Sequence, residues 1–139
     1  MKTTVRVRGV HALAIAGLLI AIACGGGNGG PTDPGGSSCS GAAQSGATIT
    51  IGANGAVSPT QVTIGRCQTV TFTNNSNRTR NMTSDPHPVH TDCPAVNAVN
   101  LIGSGQTKQT GAFPTSRTCG FHDHDDPDNA AVRGSIVVQ

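Results

Sequence analysis

Aromatic residues are almost missing from this chain, which has three Phe, no Trp and no Tyr. Charged residues are sparse as well, at 12%, whereas Gly occurs 19 times. That balance disfavours long helices and favours strands joined by turns. No stretch carries a convincing helical apolar period, and no internal repeat is visible. At 139 residues there is room for one ordinary domain and not for two. Glu is absent, so all seven acidic residues are Asp.

A basic surplus is missing where it would matter. Lys2, Arg6 and Arg8 account for three of the nine basic residues and lie at the extreme N-terminus, which leaves six (Arg66, Arg78, Arg80, Lys108, Arg117, Arg133) against the seven Asp. The folded part is therefore close to neutral, which argues against a nucleic-acid partner. No Ser or Cys nucleophile stands beside a His and an orienting acid in a known arrangement, so the expectation is that this is not an enzyme. Gly103 and Gly105 have no helical pattern after them and read as a turn.

The one long apolar run covers residues 10–23, broken by His11 and Gly17 and preceded by the basic residues above. It is too short for a confident spanning helix and reads as a targeting segment over residues 1–23. The run ends in Ile20-Ala21-Ile22-Ala23-Cys24-Gly25, which resembles the lipobox of bacterial lipoproteins. That resemblance implies acylation of Cys24 and a periplasmic or cell-surface location on a lipid anchor, with plain secretion if Cys24 is not acylated. Residues 24–46 are rich in Gly, Ser and Pro and cannot bury enough apolar surface to fix a fold, so they read as a flexible tether.

From residue 47 to 139 the pattern changes to short strand-like runs: Thr48-Ile49-Thr50-Ile51, Gln61-Val62-Thr63-Ile64, Thr69-Val70-Thr71-Phe72-Thr73 and Ser135-Ile136-Val137-Val138. Several alternate apolar residues with Thr, as a strand with one buried face does. Gly52, Gly55, Pro59 and Gly65 punctuate them. Short strands at this spacing predict an all-β domain, a small Greek-key sandwich, expected to be monomeric.

Four of the five histidines fall into two tight clusters, Asp85-Pro86-His87-Pro88-Val89-His90 and Phe121-His122-Asp123-His124. An extended backbone sends residues i and i+2 to the same side, so His122 and His124 can converge on one ion. In the first cluster the prolines stiffen a turn that can bring His87 and His90 together. Imidazole suits copper, zinc, iron and nickel alike. Asp85, Asp123 and Asp125 are placed to accept the second ring N–H of a ligating histidine. The competing reading is four solvated loop histidines with no ligand role. Arg78 and Arg80 are candidates for docking an acidic redox partner, or else ordinary solvated loop charges.

The order of Val57-Ser58-Pro59, Thr69-Val70-Thr71-Phe72-Thr73-Asn74-Asn75, a histidine loop, Cys119-Gly120-Phe121-His122 and Gly134-Ser135-Ile136-Val137-Val138 resembles a cupredoxin. The stretch from Ser84 to Pro94, taken with the second histidine cluster, resembles a branch of plastocyanin-like bacterial proteins. The resemblance implies an eight-stranded Greek-key sandwich with copper at one end, usually shuttling single electrons to a redox partner. It also implies Cys119 and His122 as copper ligands by their Cys-x-x-His spacing. Arg80, before Asn81, stands where the family's first histidine ligand is usual, and Asp126-Pro127-Asp128 stand where its axial Met is expected. Met82 lies in the other loop.

Without Cys24, four cysteines remain (Cys39, Cys67, Cys93, Cys119), an even number suited to an oxidising compartment. Three pairings are open. Cys93–Cys119 is preferred because each lies beside a histidine cluster, and Cys39–Cys67 would then fasten the tether. A bridged Cys119 cannot be a thiolate ligand, so the metal set is His87, His90, His122 and His124, with Cys119 only if it is free. The cofactor expected is copper, with zinc as the alternative. The function expected is electron transfer or copper handling, set against a small copper or zinc metalloenzyme and a metal-free tethered binding module.

Overall fold

The computed structural model describes residues 38–139. The targeting segment, Cys24 and most of the proposed tether lie outside the described residues. Among the described residues, nine strands form two sheets. They are β1 (Ser45–Ile51), β2 (Val57–Ser58), β3 (Gln61–Ile64), β4 (Thr69–Asn74), β5 (Arg80–Ser84), β6 (Asn100–Ile102), β7 (Thr107–Gln109), β8 (Arg117–Asp123) and β9 (Arg133–Val138). One sheet has the order β2-β1-β4-β7 and the other β3-β9-β8-β5-β6. Both mix parallel and antiparallel pairs: β1 runs parallel to β4 and β3 to β9, and the remaining neighbours are antiparallel. The two sheets face each other as a sandwich. The first strand starts at Ser45, so Ser45 and Gly46, assigned to the tether by composition, belong to the sheet.

The Thr-alternating runs form strands because their apolar positions share one face. In β3, Val62 and Ile64 point inward while Gln61 and Thr63 stay in water. In β4, Val70 and Phe72 are fully buried. All three Phe sit in the core, and Phe72 of one sheet meets Phe121 of the other edge to face, with ring centroids 5.2 Å apart. Such a pair adds about 0.5–1.5 kcal/mol beyond the area it buries and fixes how the sheets lie on each other.

Both disulfides are in place, Cys39–Cys67 and Cys93–Cys119. The first fastens the segment ahead of β1 to the turn between β3 and β4. The second joins the loop after β5 to the middle of β8.

Candidate metal centre

Strand β8 positions half of the histidine cluster. Phe121 lies in the core and the Asp123 carboxylate meets the buried Arg80, so by the alternation of a strand His122 projects from the opposite face. The loop after β5, residues 85–92, folds back over that face. The result is that His87, His90, His122 and His124 each offer a ring nitrogen, all within 4.8 Å of one another. Ring centroids of His90 and His124 are 4.8 Å apart, and those of His87 and His124 5.0 Å.

Three of these rings are already oriented. His122 Nδ1–H donates to Asp85 Oδ1 at 2.7 Å, so in the neutral ring the lone pair sits on Nε2, and that atom is buried without a hydrogen-bond partner among the described residues. An orphaned buried acceptor costs about 1–3 kcal/mol unless something occupies it. His90 Nδ1–H donates to the Ser84 carbonyl at 2.8 Å, so in the neutral ring its Nε2 carries the lone pair. His124 Nδ1–H donates to that Nε2 at 2.8 Å. The proton between these two atoms is the one a cation has to displace. Two nitrogens at this separation match neighbouring ligands at right angles on one ion, given metal–nitrogen bonds of about 2.0 Å. The donor set, the lone pairs and the orphaned nitrogen therefore fit a metal ion.

His90 has φ 50°, in the left-handed region that L-residues seldom adopt. Its carbonyl is held there by Ser84 Oγ–H at 3.0 Å and Asn97 Nδ2–H at 2.8 Å. Ser84 and Asn97 are thus part of the site, and nothing in the sequence singled them out. His87 is the most exposed of the four. Packing of the other rings nonetheless removes water from part of its imidazole, which pushes its pKa below the usual histidine value. The neighbouring His124, His122 and His90 act in the same direction and Asp128 opposes them. His87 therefore keeps a lone pair to lower pH than an isolated histidine would.

Several expectations need correcting. Cys119 is buried and disulfide-bonded to Cys93, so it is no ligand. Even reduced it would face the core, because β8 is continuous and residues three apart point to opposite sides. Of the three Asp expected behind the histidines, Asp85 alone is bonded to a ring. Asp123 turns inward: Arg80 Nη1–H donates to its Oδ2 at 3.2 Å, and the Asn81 amide donates to Oδ1 at 3.1 Å. Asp125 supplies an amide to the same Oδ1 at 3.3 Å. Arg80 is buried and has no surface to offer a partner. Arg78 is exposed and lies 3.9 Å from Asp126.

Gly120 permits the Asp85 contact, since a β-carbon there would collide with Asp85 Oδ2. The Gly120→Ala variant is expected to push Asp85 off His122 and weaken metal binding by about 10–100-fold, the usual cost of losing such a supporting carboxylate. Competition titration against a chromophoric chelator checks this, and an unchanged affinity would mean that Asp85 is dispensable.

No protein-family model and no curated protein matches the sequence. Solved structures do match the fold. A purple cupredoxin from Nitrosopumilus maritimus is 20% identical, with a TM-score of 0.53 over 67% of this chain and 99% of that one. Auracyanin from Roseiflexus castenholzii is 21% identical, with a TM-score of 0.52 over 70% and 99%. Plastocyanin from Dryopteris crassirhizoma is 17% identical, with a TM-score of 0.52 over 66% and 99%. The fold is the cupredoxin sandwich, here with nine strands among the described residues where the resemblance implied eight.

Proposed function

From this cupredoxin fold and its histidine cluster, we propose that the chain is an extracytoplasmic copper-binding protein whose metal is held by His87, His90, His122 and His124 alone. The observation that carries the reading is the convergence of four ring nitrogens within 4.8 Å. Copper is favoured over other metals that imidazole binds because Cu(II) heads the affinity order for divalent ions at nitrogen sites. The fold neighbours, which are cupredoxins, support the same choice.

The set contains no thiolate and no thioether, the soft ligands that favour Cu(I). Holding or delivering Cu(II) therefore suits it better than rapid one-electron exchange, which needs a site that changes little between oxidation states. Two disulfides agree with an oxidising compartment. The apolar run before Cys24 supports a lipid anchor there, and the tether would keep the domain near that membrane.

Electron paramagnetic resonance and absorption on the Cu(II)-loaded chain test the reading. One copper per chain, a pale colour, wide copper hyperfine splitting and nitrogen couplings are expected. Intense absorption near ~600 nm with narrow splitting would place a thiolate on the metal and overturn the histidine-only set. Reversible voltammetry at fast scan rates would favour electron transfer over copper handling.

A further inference from the structure

A cleft of about 500 Å³ opens beside the histidines, and His87 and His122 form part of its lining. His122 is the ring with the orphaned Nε2, and His87 is the ring most open to solvent. Pro86 and Pro127 wall the cleft, and Arg133 stands in it. Arg133 is the direct cross-strand partner of His122, on β9. Directly opposed residues rise from the same face of a sheet with β-carbons about 4.5–5.5 Å apart. The guanidinium is thus built onto the same patch as a ligand.

Arg133 differs from the other arginines of its sheet. Arg80 is paired with Asp123 and Arg117 with Asp92, at 3.2 and 2.8 Å. No ion pair among the described residues engages Arg133. Two carboxylates also line the cleft. Asp85 is committed to His122, and Asp128 lies close enough to His87 for their charges to interact. They would repel a multiply charged anion, while the guanidinium offers paired N–H donors to a singly charged one.

We propose that this cleft is a binding site for a small monoanion, of the size of azide or formate, docked by Arg133 against the metal-bearing face of His87 and His122. The inference rests on the histidine-only metal reading. It makes the centre one that accepts a ligand from solution, which a sealed electron-transfer site does not.

The test titrates sodium azide into the Cu(II)-loaded full chain at constant ionic strength, followed by electron paramagnetic resonance and absorption. Copper stoichiometry is measured first on every variant. Azide is expected to change the copper spectrum of the wild-type chain saturably. Arg133→Glu should weaken azide binding about 10–100-fold, the worth of a charge-assisted contact, with Arg133→Lys in between. Lys108→Ala, on the other sheet, should match the wild type. A copper-loaded chain whose spectrum azide leaves unchanged overturns the anion site, and so does an Arg133→Glu variant with wild-type azide affinity. A chain that takes up no copper overturns the metal reading and the anion site with it.

Discussion

Replacing Arg80 with Met is expected to lower the unfolding free energy by about 3–5 kcal/mol, the cost of leaving a buried charge without its partner. Arg80 and Asp123 are 5% and 1% exposed, so water cannot take over for the missing guanidinium. The guanidinium also fills a place prepared for it, because a β-carbon at Gly55 would collide with Arg80 Nη2. A loss of this size is a large part of the 5–15 kcal/mol or so that a whole domain commands. The double variant Arg80→Met/Asp123→Asn should recover more than half of it, since Asn removes the charge and keeps an oxygen for the Asn81 amide. Urea unfolding of the metal-free protein measures both. A single-variant cost below about 1 kcal/mol would show that the pair behaves as an exposed one. Copper affinity should fall with stability in the single variant, because Asp123 holds the backbone between His122 and His124.

Removing the Cys93–Cys119 bridge by a double change to Ala should cost about 3–4 kcal/mol, as chain-entropy reasoning gives for a crosslink over this separation. The separation is 26 residues. For a domain of this size the thermal midpoint should fall by on the order of 20 °C. Copper affinity should drop about tenfold or more, because the loop carrying His87 and His90 loses its fastening to β8 and with it preorganisation. Changing Cys93 alone to Ser leaves a thiol at Cys119. No intense band near ~600 nm is expected from that variant, since Cys119 lies on the core side of β8 and His122 on the other. Calorimetry and absorption spectroscopy decide the two parts independently, and a strongly coloured Cys93→Ser sample would show that β8 can rearrange to bring a thiolate to the metal.

Strands whose inward positions are aliphatic were legible in the sequence. β1, β3, β4 and β9 each alternate Val, Ile or Phe with Thr or Ser over part of their length, and each was anticipated within a few residues. β5 was not, because its inward positions are Arg80, Met82 and Ser84. A buried Arg and a buried Ser carry no periodic apolar signal, and only the tertiary partner Asp123 explains the first. β8 was hidden in the same way: its core face reads Cys119, Phe121, Asp123, and the motif Cys-x-x-His drew attention to a ligand spacing that a continuous strand cannot use.

At the site, the residue types were legible and the supporting contacts only in part. Four histidines in two clusters announced a candidate metal site, and Asp85 was anticipated as a carboxylate behind a histidine, though not which ring it would hold. Ser84, Asn97 and Gly120 were not, since they act through backbone carbonyls, a hydroxyl, a side-chain amide and an empty position that only the folded loop brings together. Arg133 was invisible for a related reason. Its relation to His122 is a register between β8 and β9, and a register has no local signature.

The Cys39–Cys67 bridge has a mechanical consequence. The Arg66 amide donates to the Gln139 carbonyl, so Cys67 sits at the end of the sandwich where β9 finishes. The register pairs Arg117 with Val138 there and His122 with Arg133 at the far end. Five residues of strand, about 17 Å, separate the two poles. Tension on the chain ahead of Cys39 would pass through the bridge to the β3–β4 turn before it reached β1. A domain held at that pole would present its histidine end outward, away from the point of attachment.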